Sequence, residues 1–193
     1  PIICSNGTYC PPGSHVELLC PFGYTDNPST ANRDSLAGAC RICPAGRAGN
    51  DPKRTECREC TGGHVCFEGA TSTEPTNLVT EHGYKCLSGV YCPPGWTELP
   101  EPCPAGMYGL KDGATSFEDG CAYCEAGSYS PQQGQSHCTP CGSSAWSLQG
   151  SPDCNCNGTG RAFQPSDGSC VCQPGYEYFD ITGKLWDGDS RDP

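Results

Sequence analysis

Large apolar side chains are scarce in these 193 residues, with one methionine and five phenylalanines. That scarcity excludes a sizeable single core, because small units that bury little apolar surface need other staples. No apolar run approaches the roughly 18 residues of a membrane span, so no direct membrane insertion is expected of this segment. Positive charge is also short. Eleven Lys and Arg stand against 22 Asp and Glu, a net charge of −11. Neutralising nucleic-acid phosphates takes clustered cations, so no nucleic-acid partner is expected. The four histidines, His15, His64, His82 and His137, are scattered among polar residues, which reads as solvated surface rather than a catalytic base. Helical periodicity is missing, which leaves short hairpins and turns.

Against this stand 26 Gly, 19 Pro and 19 Cys. Cysteine at this density marks a disulfide scaffold and an oxidising compartment, so the chain is expected to be extracellular or at the cell surface. Asn6-Gly7-Thr8 and Asn157-Gly158-Thr159 satisfy the N-glycosylation rule, whereas Asn27 is followed by Pro28 and does not. The chain shows no signal peptide or initiator methionine, and it reads as a mature or excised piece of a longer protein.

The cysteines repeat. Cys86-Leu-Ser-Gly-Val-Tyr-Cys92-Pro-Pro-Gly aligns with Cys4-Ser-Asn-Gly-Thr-Tyr-Cys10-Pro-Pro-Gly at an offset of 86 − 4 = 82. Cys103 then matches Cys20, and C-x2-C-x13-C-x2-C recurs unchanged at Cys40–Cys60 and Cys121–Cys141. C-x2-G-x2-C appears at Cys4–Cys10, Cys60–Cys66 and Cys86–Cys92. Cys-Pro-x-Gly, as at Cys20, Cys43 and Cys103, is turn chemistry in which proline presets φ and glycine completes the turn. The expected division is a first repeat over 1–66, an exposed Thr-rich linker over 67–85, a second repeat over 86–141, and a segment over 142–193.

Matching bridges in both copies favour nearest-neighbour pairing: Cys4–Cys10, Cys20–Cys40, Cys43–Cys57, Cys60–Cys66, Cys86–Cys92, Cys103–Cys121, Cys124–Cys138, Cys141–Cys154 and Cys156–Cys170. Cys172 is then unpaired or paired outside the chain. The rival scheme shifts the parity, with Cys10–Cys20 and Cys92–Cys103 bridged. Either scheme closes loops locally, so the fold class expected is a small disulfide-rich, elongated tandem array of short β-hairpins and loops, with little helix and no large core.

The run Cys103-Pro-Ala-Gly-Met-Tyr, Cys121, Cys124-Glu-Ala-Gly-Ser-Tyr-Ser, Gly134, Cys138, Cys141 resembles the ephrin-receptor-like cysteine-rich repeat, a relative in style of TNF-receptor modules. The likeness covers roughly 4–66 and 86–141. Cys170-x-Cys172 followed by Pro-Gly-Tyr resembles the second half of an EGF-like module, which needs one further cysteine, so 142–193 is expected to be a truncated EGF-like segment with an acidic tail. The resemblance implies a rod and no catalytic residues. Ala48 stands where the repeat usually carries tyrosine, so weaker aromatic packing is expected there.

Alternative chemistries are outweighed. C-x2-C-x13-C-x2-C is a zinc spacing, but the neighbouring cysteines and the sequons favour disulfides, so no metal site is expected. The paired carboxylates Glu98–Glu101 and Glu118–Asp119 read as a solvated acidic face. No cofactor is expected; calcium on Asp187, Asp189 and Asp192 is the alternative kept, without the EF-hand loop pattern. Tyr9, Tyr91, Tyr108 and Tyr129 are expected to cover disulfides, which leaves Trp96 and Trp146 as interface candidates. The functional expectation is a structural spacer or assembly segment of a larger extracellular or cell-surface glycoprotein, as in a filament or matrix. Its partners would be other protein chains, copies of itself among them. The alternative is a receptor ectodomain that binds a protein ligand along its cysteine-rich modules. No enzyme is expected.

Overall fold

The computed structural model of the chain describes residues 4–29, 31–95 and 99–177. Eighteen strands of two to four residues form nine two-stranded sheets, each from consecutive strands. In chain order the hairpins are β1 (Thr8–Tyr9) with β2 (Leu18–Leu19), β3 (Tyr24–Asp26) with β4 (Cys40–Ile42), and β5 (Arg47–Ala48) with β6 (Arg58–Glu59). Next come β7 (His64–Cys66) with β8 (Gly83–Lys85), β9 (Val90–Tyr91) with β10 (Glu101–Pro102), and β11 (Met107–Gly109) with β12 (Cys121–Tyr123). The last three are β13 (Ser128–Tyr129) with β14 (Thr139–Pro140), β15 (Ala145–Trp146) with β16 (Asn155–Cys156), and β17 (Arg161–Gln164) with β18 (Ser169–Cys172). The described helices are two single turns, α1 (Leu36–Ala39) and α2 (Phe117–Gly120), each running straight into the returning strand of its hairpin. Ser35 caps α1, its hydroxyl accepting from the Gly38 N–H at 3.3 Å.

Cys-x-x-Gly heads the first seven hairpins, and its glycine, from Gly7 to Gly127, holds φ between +79° and +103°. Only glycine adopts that conformation without steric cost. The residue after the glycine donates back to the residue after the cysteine, as in Tyr24 N–H to the Pro21 carbonyl at 3.2 Å and Met107 N–H to the Pro104 carbonyl at 3.1 Å. This corrects the sequence reading of Cys-Pro-x-Gly. Proline is the first residue of the turn, where its carbonyl accepts, and the residue after it takes the corner that proline was expected to preset.

The hairpins close by one rule. The N–H of the cysteine that follows each returning strand donates to the turn glycine carbonyl of the same hairpin: Cys20 to Gly7, Cys43 to Gly23, Cys60 to Gly46, Cys86 to Gly63, Cys103 to Gly89, Cys124 to Gly106 and Cys141 to Gly127, all at 2.8–3.0 Å. The repeat of seven cysteines is therefore a run of smaller repeats, short hairpins alternating with longer ones. Nine disulfides staple them: Cys4–Cys10, Cys20–Cys40, Cys43–Cys57, Cys60–Cys66, Cys86–Cys92, Cys103–Cys121, Cys124–Cys138, Cys141–Cys154 and Cys156–Cys170.

No large core forms among the described residues. The buried apolar set is mostly half-cystines and alanines, and Val65, Met107 and Tyr129 are its largest other members. Two compact units divide the chain. One comprises 1–87, 91–101 and 112–116; the other comprises 88–90, 102–111 and 117–193. In the first, Tyr9, Tyr24 and Leu36 pack on Cys20, Ala39 and Cys40. Ala48, in the usual tyrosine position, is fully buried against Ala70, Cys60 and Cys66, and close backbone approach replaces ring packing there. In the second, Tyr129 and Phe163 gather around Cys141, Ala145, Cys154 and Cys170.

Residues 67–85 are in large part exposed, and their backbone is tied into a hairpin. They form the loop and returning strand of the fourth hairpin, with Phe67 N–H donating to the His82 carbonyl at 2.8 Å and Thr71 N–H to the Glu81 carbonyl at 3.1 Å. The Glu81 carboxylate accepts from the backbone N–H groups of Thr76 and Asn77 at 2.6 and 3.1 Å. Polar Thr-rich composition here serves local hydrogen bonding, which composition alone cannot distinguish from solvation.

Candidate functional site

The residues singled out by sequence are not gathered in one place. Asn6 and Asn157 are both exposed, Asn6 in a Cys-x-x-Gly turn and Asn157 just beyond β16. Trp146, on β15 opposite Asn155, is 48% exposed. Trp96, Glu98, Asp187, Asp189 and Asp192 lie outside the described residues. The cysteines of the zinc-like spacing enter separate bridges, Cys40 with Cys20, Cys43 with Cys57 and Cys60 with Cys66. Among the described residues no three His, Cys, Asp or Glu side chains are placed to hold a metal. His15, His82 and His137 are exposed and His64 is half-buried; His64 and His82 belong to the fourth hairpin, His15 to the first and His137 to the seventh. Cys172 is half-buried and has no disulfide partner among the described residues.

Two features escaped the sequence reading. The first is a set of charged groups under the opening hairpins, the buried Asp26 and Arg54 and the half-buried Arg33. Asp26, at the end of β3, accepts from the Gly7 N–H at 2.8 Å and from Arg33 Nη1 at 2.7 Å. The same guanidinium nitrogen donates to the carbonyls of Ser5 and Thr8, both at 3.2 Å. Burial alone would raise the Asp26 carboxyl, but the Arg33 hydrogen bond, the Gly7 N–H and the charges of Arg33 and Arg41 hold it below its ordinary value. Arg54 is buried at φ +57°, in a conformation that glycine usually fills. Its Nε donates to the Cys20 carbonyl at 3.0 Å, its guanidinium lies 3.8 Å from the centre of the Phe22 ring, and its own carbonyl accepts from Asp26 N–H at 2.7 Å. In other hairpins the matching bond to a cysteine carbonyl comes from a glycine N–H, as Gly69 to Cys43 and Gly150 to Cys124. The sequence signal was Lys53-Arg54, four and three residues before Cys57, where the matching loop of the second copy carries Gly134-Gln135 before Cys138.

The second feature is an open cleft of about 460 Å³ between β4 and the third hairpin. Arg41, Ile42, Pro44, Arg47, Thr55, Glu56 and Cys57 line it. Arg41 and Arg47 are exposed, and Arg47 Nη1 donates to the Cys57 carbonyl at 2.9 Å. Ile42 gives the cleft an apolar wall, 39% exposed. Within the second unit, another hollow of about 440 Å³ is walled by Tyr129, Pro131, Pro140, Pro165 and Asp167.

Chemically, the described residues present a cleft lined by two exposed arginines, several exposed aromatics, and one exposed hydroxyl–imidazole contact, Ser136 Oγ to His137 Nδ1 at 3.3 Å, which lies on the solvated surface outside that cleft. Comparison with known protein families and with curated proteins found no match to this chain.

Proposed function

We propose that the chain is a structural spacer or assembly segment of a larger extracellular or cell-surface glycoprotein, built in the manner of ephrin-receptor-like and TNF-receptor-like repeats. The observation that carries the reading is the uniform hairpin closure, in which seven cysteine N–H groups bond seven turn glycine carbonyls. Within a unit, hairpins also bond their successors, as Gly23 N–H to the Gly49 carbonyl at 3.0 Å and Gly46 N–H to the Cys66 carbonyl at 2.9 Å in the first, and Gly106 N–H to the Ser130 carbonyl at 2.8 Å in the second. Nearest-neighbour contacts of this kind suit a serial scaffold that keeps its form without a core. Nine disulfides support an oxidising environment, and the exposed Asn6 and Asn157 support glycan attachment. No reaction is assigned to the chain.

The test is electron microscopy of native material together with a search for soluble ligands. Segments repeated head-to-tail in fibres support the assembly role. A monodisperse monomer with saturable binding to a soluble protein overturns it in favour of a receptor ectodomain.

A further inference from the structure

The charge of this chain is segregated. Residues 1–66 hold six of the eleven basic and six of the 22 acidic side chains, so the whole net charge of −11 falls on residues 67–193. Within the neutral part the cations are unequally engaged. Arg33 is paired with Asp26 at 2.7 Å and Arg58 with Asp51 at 3.2 Å. Arg54 is buried against Phe22 and the Cys20 carbonyl. These pairings consume Asp26 and Asp51 as well. Arg41, Arg47 and Lys53 remain; of these Arg41 and Arg47, both exposed, line the same cleft, with Glu56 as the single carboxylate among its walls.

The cleft thus combines two exposed arginines, Arg47 held by its Nη1 bond to the Cys57 carbonyl, with the exposed face of Ile42 and with Pro44. Guanidinium forks match carboxylates, and the apolar wall gives a short side chain something to cover. At about 460 Å³ it holds a few side chains of an extended segment and no folded module. The acidic partner it calls for is already encoded in the other two-thirds of this chain.

We propose that this cleft docks an acidic segment of a second copy of the chain, supplied from residues 67–193. The inference rests on the assembly reading and names the contact that would carry it. Because the cleft and the acidic surface are different patches, the contact is heterologous. Such contacts propagate head-to-tail into rings or filaments instead of closing as a two-fold dimer. Complementary charge of this kind sets orientation and is weakened by salt.

The test is sedimentation velocity of the oxidised chain over a concentration series at low and high salt. Three comparisons accompany it: Arg41→Glu/Arg47→Glu, the milder Arg41→Gln/Arg47→Gln, and Lys53→Glu/Lys85→Glu, which changes net charge equally but away from the cleft. Non-reducing peptide maps check that each variant keeps its bridges. Expected are self-association of the wild type that falls with salt, association weaker by about tenfold or more in the Arg→Glu pair, an intermediate loss in the Arg→Gln pair, and little change in the lysine pair. A wild type that associates while the Arg→Glu pair associates equally overturns the cleft and leaves the assembly reading standing. A wild type that stays monomeric throughout overturns both. Equal losses in the arginine and lysine pairs also overturn the cleft, since net charge alone would then be responsible.

Discussion

A β-carbon on Gly106 would lie 2.1 Å from the carbonyl oxygen of Gly150. The same relation joins Gly23 to Gly69 at 2.4 Å, Gly63 to Gly113 at 2.4 Å and Gly89 to Gly134 at 2.2 Å. A turn glycine of one hairpin is thus covered by the loop glycine of a later one. Gly127, at φ +83°, has the same backbone conformation with open space around it. The two positions separate strain from contact. Gly127→Ala is expected to cost about 1–2 kcal/mol from the left-handed conformation. Gly106→Ala carries that cost plus a further 1–3 kcal/mol or so, because the Gly150 backbone must move. Urea unfolding of both variants measures the difference, and equal losses would show that the glycine contact contributes nothing.

Acid should weaken the first unit through Asp26. Its carboxyl is held below the ordinary value of 3.8 despite burial, so the folded state binds this proton less readily than the unfolded chain. The stabilisation is therefore complete above the ordinary carboxylate range and disappears as pH falls below 3.8 through the folded value. Glu17, held down by the Thr8 and Ser5 hydroxyls, Asp51, held down by the Thr55 N–H, and Glu81, held down by the Thr76 N–H, act with the same sign. Thermal unfolding between about pH 6 and about pH 2 should show a decline below the carboxylate range. Asp26→Asn should be less stable at neutral pH and show a shallower decline. A slope identical to wild type would remove Asp26 from this account.

Oxidation state should decide folding. Since most of the buried apolar set is half-cystine, full reduction is expected to abolish the near-ultraviolet tyrosine signal. Removing one bridge, as Cys43→Ser/Cys57→Ser, should cost about 2–4 kcal/mol. Peptide maps of oxidised material should yield Cys20 joined to Cys40 and Cys103 joined to Cys121. A Cys10–Cys20 peptide would overturn the pairing.

Tyr129 should be a local anchor of the last hairpin. Its ring meets Phe163 edge-on with centroids 5.1 Å apart, and its hydroxyl donates to the Pro165 carbonyl at 3.2 Å. Tyr129→Phe should cost roughly 0.5–1.5 kcal/mol for the hydrogen bond, and Phe163→Leu a similar amount for the ring pair. A double-mutant cycle with Tyr129→Leu reports the coupling, and additive losses would show that the rings do not interact. Burial pushes the Tyr129 phenol up, and the negative charges of Asp153 and Asp167 add to it. In a spectrophotometric titration one tyrosine should therefore ionise later than the rest.

The sequence by itself determined the kind of structure. Too few large apolar residues and 19 cysteines leave only stapled hairpins, and Cys-x-x-Gly places a left-handed glycine at each turn, because both facts are local chemistry. Only the tertiary structure decided which polar residues work. In Thr-rich 67–85, composition does not show that the Glu81 carboxylate ties Thr76 and Asn77, or that β8 returns to β7. Asp26 and Arg33 looked like ordinary surface charges seven residues apart, until β3 carried Asp26 beneath Gly7. Arg41 and Arg47 lie on different hairpins and share a cleft because the Cys43–Cys57 bridge and β4 set the third hairpin beside the second. Side chains distant in sequence acquire a common environment only when the backbone hydrogen bonds between hairpins fix their neighbours, and no spacing along the chain encodes that.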